Sequence, residues 1–248
     1  MGPQVLIAAA ADPFIECLRR HLPAAAAVSI SASEAFPAAS FTIGSNGALV
    51  ESAIVVDKRC FDFRQFSGVI FRPGRGWHDG RARATLRQAF NRHERRAAWI
   101  ALLAALPCPV ANRLTPEWLL APELHECALA KSFAASVGLR ATRATDRFRG
   151  RPGRGYFVGS AFVSSDSSLE ATLGPSLGER LEAWCRATGI LYGSLECRRT
   201  ADGYEVERVR PVPSFERERR DTIHRVCRLL AARLHEEVRR CIQASSSS

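Results

Sequence analysis

The sequence predicts an α/β protein in two lobes: an N-terminal lobe over residues 1–113 built on a largely parallel sheet, and a shorter α+β lobe over residues 114–242, followed by a disordered tail at 243–248. Two observations carry that prediction. Up to Asn112, short apolar runs alternate with helical segments, the pattern of strands joined by crossover helices. After Leu114 the order changes to helices, then a hairpin over residues 189–213, then a long terminal helix. At 248 residues, 46% hydrophobic and 24% charged, the chain can bury a substantial core.

Val5 to Ala9 reads as a buried strand, with Asp12 capping a helix that has Pro13 in its first turn and Phe14, Leu18 and Leu22 on its inner face. Val28 to Ser31 is a short second strand. Phe41 to Gly44 and Ala48 to Val56 flank Asn46-Gly47, a hairpin signal. Gly68 to Arg72 is a further buried strand, a helix is expected from about Ala82 to Leu106, and Pro109 to Asn112 resembles the next strand. In the second lobe, helices are expected around Glu117 to Leu120 and over Glu123 to Val137, the latter stopped by Gly138. Arg140 to Thr145 reads as extended, residues 146–155 as a loop rich in arginine and glycine, and Tyr156 to Val163 as a strand. A helix from about Ser176 to Thr188 leads into the hairpin, where Leu191, Leu195 and Cys197 alternate, Asp202-Gly203 turns, and Tyr204, Val206 and Val209 return until Pro211. Glu216 to Ile242 is the last helix, with Ile223, Val226, Leu230 and Leu234 inward.

The net charge of +10 comes almost wholly from arginine, since Lys58 and Lys131 are the only lysines. Arginine is spread along the chain and aromatic residues make up 8%, so the concentrated basic face with interleaved aromatics of a nucleic-acid binder is not evident. The eight cysteines form no CxxC pair, and several lie in apolar patterns, so reduced, structural thiols in a cytoplasmic protein are expected. Ala97 to Leu106 is too short and too soon ended by Pro107 to span a bilayer. Neither the histidines nor the serines show the spacing of a metal site or a nucleophilic triad. The pentapeptide Arg-Pro-Gly-Arg-Gly occurs at 72–76 and again at 151–155; both copies read as loops without phosphate-cradle form. If both border one cleft, Arg75 and Arg154 give it a positive rim.

Three segments together resemble the ATP-grasp superfamily, in particular its carboxylate-amine and peptide ligase branch with a pre-ATP-grasp N-terminal domain. PVANRLTPEW (109–118) resembles the passage out of that domain, and CALAKSFAASVGLRATRAT (127–145) has the register of the helix that ends at Gly-Leu. The third, GILYGSLECRRTADGYEVERVRPVPSF (189–215), is the specific one: ILYGSLE follows a Gly-x-x-x-Gly-x-x-Asp pattern and VERVRP a Leu-Glu-x-Asn-Pro pattern. In the family these last two patterns supply acidic and amide ligands to magnesium, which bridges the nucleotide phosphates.

The resemblance implies a first metal ligand at Glu196, still acidic, and two more at positions that hold Arg208 and Arg210. A guanidinium donates hydrogen bonds and cannot ligate a cation. The family's nucleotide lid also finds little room here. The stretch from Gly138 to Gly189 contains no lysine, and the earlier family lysine falls on Cys127, with Lys131 one turn later. On this reading the chain is a shortened, degenerate ATP-grasp protein that lacks most of the nucleotide lid, needs no cofactor, and acts as a non-catalytic binding or scaffolding partner in peptide or amino-acid-conjugate modification. Its partner is then an active ligase, another modifying enzyme or a substrate peptide. Two other readings stay open. One is a reduced ligase using ATP and magnesium with a partner subunit; the other is an arginine-mediated binder of acidic peptide or nucleic acid. Taken as strand residues alone, Arg208 and Arg210 fit a solvent face paired with Glu205 or Glu207; in the family register they join Glu196, Arg75 and Arg154 as an anion or peptide site.

Overall fold

The computed structural model describes residues 4–9, 12–22, 27–31, 38–72, 85–112, 115, 122–142, 152–201, 203–215 and 218–246. It divides into two compact units: one comprises 1–119 with 234–248, and the other is 120–233.

In the first unit, β1 (Gln4–Ala9), β2 (Ala27–Ser31), β6 (Phe66–Arg72) and β7 (Val110–Ala111) form a parallel sheet in the order β2-β1-β6-β7. Leu6, Ile7 and Ala8 are all buried, as are Val69, Ile70 and Phe71, so both faces of the central strands are covered. The helix α1 (Pro13–His21) is capped as expected: Asp12 accepts from Ile15 N at 2.9 Å, and Phe14 and Leu18 are buried. Its other carboxylate oxygen accepts from Arg72 Nε at 2.7 Å, while that guanidinium lies 5.0 Å from the Phe14 ring. Arg72 thus ends a strand; the rest of the first pentapeptide, Arg75 included, lies outside the described residues.

The hairpin around Asn46-Gly47 is present as β3 (Ala39–Ile43) and β4 (Leu49–Val56), with Gly47 at φ +77° and Asn46 accepting from Ala48 N. A short β5 (Arg59–Phe61), not expected from the sequence, completes this antiparallel sheet. The helix α2 (Leu86–Ala105) starts later than expected, because a capping box formed by Thr85 and Gln88 fixes its first turn. Trp99 on α2 stacks on Phe71 at 5.0 Å and meets Phe63 edge-on.

The second unit contains one sheet in the order β10-β9-β11-β12-β8, formed by β8 (Arg140–Ala141), β9 (Gly153–Val158), β10 (Ala161–Ser164), β11 (Tyr192–Thr200) and β12 (Gly203–Arg210). Two helices cover one face, α3 (Pro122–Val137) over β12 and β8 and α4 (Ser167–Thr188) over β10 and β9. Trp184 meets Phe133 and Phe157 edge to face at the centre of this core, the two phenyl rings stacking on each other, with Leu195, Cys197, Val206 and Val209 packed in the same core. Gly138 (φ +77°) ends α3, and Leu139 N donates back to Ala134 O.

Three expectations need correction. Tyr156 to Val163 is not one strand but the β9–β10 hairpin, turned at Gly159 with φ +53°. Gly153 to Gly155 are not loop: they open β9, held by pairing with β11. The helix before the long hairpin begins at Ser167 rather than Ser176, because Asp166 caps it by accepting from Ser168 N and Leu169 N at 3.0 and 3.1 Å. Leu169, Leu173, Leu177 and Leu181 then run as one buried stripe at four-residue spacing. Asp166→Ala is expected to cost about 1 kcal/mol, read as a lowered thermal midpoint. The segments at 117–120 and 143–151 lie outside the described residues.

The terminal helix α5 spans Arg220–Ser246, so it takes in residues 243–246. Ile223, Val226, Leu230 and Leu234 are buried as expected. Within the second unit, Arg225 pairs with Glu170 and Arg233 with Glu182, two turns apart on α5. The hydrogen bond from Arg225 holds the Glu170 carboxyl below its usual range. Among the described residues no helix is long and apolar enough to cross a membrane.

Candidate functional site

The two strands of the long hairpin pair in antiparallel register from Ser194↔Arg210 to Thr200↔Gly203, with a shift between Glu196 and Cys197. Glu196 faces Arg208 and Cys197 faces Val206, so Glu207 is an extra residue on β12. That bulge accounts for the three-residue step from Val206 to Val209, both of them buried in the core, and it turns Arg208 and Arg210 to the opposite face. On the other side of β11, Glu196 pairs with Arg154 of β9. A row Arg154, Glu196, Arg208 therefore crosses three neighbouring strands, with Arg210 one step along.

The side chains meet accordingly. Glu196 Oε1 accepts a hydrogen bond from Arg154 at 3.1 Å, and its Oε2 lies 3.5 Å from Arg210 and 3.9 Å from Arg208. Glu126, in the first turns of α3, places Oε2 3.6 Å from Arg208 and 3.5 Å from Arg210. Glu196 is 10% exposed, whereas the Arg154, Arg208 and Arg210 side chains are 34%, 38% and 28% exposed. Three guanidiniums against two carboxylates leave the cluster with an excess of positive charge.

Of the residues named from sequence, Glu196, Arg208, Arg210 and Arg154 come together, and Arg75 lies outside the described residues. The alternative pairing with Glu205 or Glu207 does not form for the two arginines: Glu207 is taken by Arg198 at 3.0 Å. Glu126 was missed. Its signal lies in the helix period, since 126, 130, 133 and 137 share one face and the last three are buried, which places an acid at the end of an apolar stripe. Lys131 is exposed on α3.

Beside Arg154 in β9, Tyr156 stacks on Phe215 at 4.7 Å and donates to Glu218 at 2.9 Å; burial and the Glu218 charge raise its hydroxyl above the usual tyrosine range. Cys197, on the core side of the same strand as Glu196, has its thiol pushed up to about 12 by burial and by the Glu196 charge, and Cys185 is likewise pushed up to about 12, mainly by burial. Burial of this kind disfavours the thiolate, the nucleophilic form. The seven cysteines with described side chains are all unbridged thiols.

The donor set does not suit magnesium. That ion requires near-octahedral oxygen ligands at about 2.0–2.1 Å, and here both carboxylates are already engaged by guanidiniums. At an effective dielectric of 20 and 4 Å, a dication and a unit charge interact by about 8 kcal/mol. Two attractive carboxylates are outweighed by three repulsive guanidiniums, before any cost of stripping water from the ion.

No protein-family model matches the sequence, and no curated protein does. Solved structures do share the fold. The macrocyclase MdnC of Microcystis aeruginosa, bound with precursor peptide MdnA, superimposes with a TM-score of 0.64 at 14% identity, over 94% of this chain and 99% of that one. A RiPP-associated ATP-grasp ligase of Chryseobacterium gregarium, in complex with ADP and a leader and core peptide, gives 0.60 at 11% identity, over 95% and 97%. The ATP-grasp ligase PsnB, complexed with a phosphomimetic variant of its minimal precursor, magnesium and ADP, gives 0.57 at 15%, over 96% and 99%.

Proposed function

Given that the chain has the ATP-grasp ligase fold, we propose that it is a non-catalytic member of that architecture which binds peptide or a peptide-modifying partner without forming an acyl phosphate. What supports this is that Arg208 and Arg210, which fall on the ligand positions the resemblance implies, are both turned toward Glu196 within 3.9 Å. Phosphoryl transfer is assisted by a metal that neutralises charge on the phosphates; on the resemblance, Arg208 and Arg210 take the place of two of that metal's oxygen ligands. The peptide side of the proposal draws on the similar structures, several of which hold precursor, leader or core peptides. A cytoplasmic location, with reduced cysteines, goes with the same reading.

The test is calorimetric titration of the full chain with ATP, with and without magnesium. No magnesium-dependent heat and no release of ADP are expected. Micromolar binding that requires magnesium would overturn the proposal and favour the reduced ligase. Affinity capture from the native host then asks which peptide or modifying enzyme is retained.

A further inference from the structure

Every described side chain in the first half of α2, as far as Arg95, is exposed, whereas the second half is packed through Trp99, Ile100, Leu102 and Leu103. We infer that the first three turns of this helix form a docking surface for an acidic amphipathic helix of a partner protein, seated along Leu86 and Phe90. The inference concerns the first unit and goes beyond the reading of the arginine cluster; it holds whether or not the chain forms an acyl phosphate.

The exposed turns are held from within the helix. A short stretch of helix with no packed face is marginal in water, and here the capping box closes the exposed end: Thr85 N donates to Gln88 Oε1 at 3.0 Å and Gln88 N donates to Thr85 Oγ1 at 3.3 Å. Polar residues alone would serve a solvated arm. Instead Leu86 is 93% exposed and Phe90, one turn on, is 64% exposed. Single apolar residues on a surface are ordinary, but a leucine and a phenylalanine on successive turns of one face make a patch. With His93 and Ala97, also exposed, they recur at steps of four, three and four, and the next step of three reaches Ile100, which is buried. That is the spacing of a seam between two helices. The line along which α2 packs at Ile100 therefore continues outward onto exposed residues for about 16 Å.

Charge and width choose the occupant. Residues 86–96 carry four arginines against one acid, Glu94, and Arg87 beside Leu86 is exposed. A second copy of the same arm meets like charge, whereas a helix with carboxylates beside its own apolar seam meets the opposite one. A membrane surface also takes basic amphipathic helices. The seam here is one side chain wide, with Gln88, Asn91 and Glu94 around the rest of the helix, which is too narrow an apolar face to lie in lipid. A partner helix needs no more than that seam.

The experiment is fluorescence anisotropy with the full chain and a labelled probe, three repeats of Glu-Leu-Glu-Ala-Leu-Glu-Ala, whose leucines recur at steps of three and four. Its counterpart with lysine for glutamate is the charge control. The acidic probe is expected to bind, the double substitution Leu86→Ser with Phe90→Ser to weaken it about tenfold, and Arg87→Glu alone to weaken it about threefold. Both variants are expected to melt with the parent, since the side chains changed are exposed. Equal binding by the double variant overturns the inference, as does equal binding of the lysine probe. A double variant that melts well below the parent overturns it too, because the seam is then covered by this chain itself. Sedimentation of the parent, alone and with phosphatidylglycerol vesicles, tests the other occupants: self-association or vesicle binding that is lost with Leu86 and Phe90 assigns the seam to a second copy or to a membrane, against the inference. None of these failures touches the earlier reading, which falls on magnesium-dependent ATP binding by the parent chain.

Discussion

Gly193→Ala is expected to destabilise the second unit by about 3 kcal/mol, the upper part of the usual range for overpacking. A Cβ at that position would stand 2.7 Å from the backbone oxygen of Arg210 and 2.6 Å from Phe157 Cζ. The ring can move only by displacing Trp184 and Phe133, which it packs against. The carbonyl is fixed more firmly, since Arg210 is paired with Ser194 in the ladder. Glycine is therefore required here for close approach rather than for an unusual φ, unlike Gly189, whose φ of +70° ends α4. Because the displaced backbone is that of Arg210, the substitution should also disturb the arginine cluster. Urea unfolding measures the cost, with Gly178→Ala as the control; a Cβ there meets nothing within 4 Å. An unchanged midpoint for Gly193→Ala would mean that the β11–β12 pairing is looser than described.

The parts of the fold that were legible in sequence are those set by local chemistry. Asp12-Pro13, Asn46-Gly47 and Gly138 each fix a backbone conformation through a cap or a positive φ, and each marks a real boundary. The parts that were not legible depend on partners distant in sequence. Residues 153–155 read as loop because of Pro152 and two glycines, yet the same glycines make room for the strand: a Cβ on Gly155 would fall 2.2 Å from the Phe162 ring. The alternation of Tyr156 to Val163 concealed the turn at Gly159, since a tight hairpin keeps apolar residues coming on both sides of it. For α4, a start near Ser176 was expected, while the cap at Asp166 and the leucine stripe from Leu169 to Leu181 set the start at Ser167. At the site, register with a known pattern located Glu196, Arg208 and Arg210, but strand period alone would have put Val206 and Val209 on opposite faces. The bulge at Glu207 resolves that conflict, and bulges have no composition signal of their own. Glu126 comes from another element, so only a helix period that happens to include it pointed its way.

Glu196→Ala should cost about 2–3 kcal/mol in stability and should not behave like the loss of a surface charge. Glu196 is 10% exposed and faces three guanidiniums, of which Arg154 is hydrogen-bonded to it. Removing one partner of a buried pair leaves the other charge uncompensated, at about 3–5 kcal/mol; the arginines here are about one-third exposed, so water recovers part of that and the lower figure follows. An exposed pair would give at most about 1 kcal/mol, and this difference makes the measurement decisive. The loss should also be relieved by removing a cation. Arg154→Met in the Glu196→Ala background is expected to restore part of the stability, because the charge it deletes is the one left without its hydrogen-bonded partner. A double-mutant cycle by chemical denaturation reads both terms. If Glu196→Ala costs only a few tenths of a kcal/mol and the second substitution simply adds to it, the carboxylate is not what balances the arginines. If the coupling appears, Glu196 serves as the charge balance of the guanidiniums, a role that requires no metal.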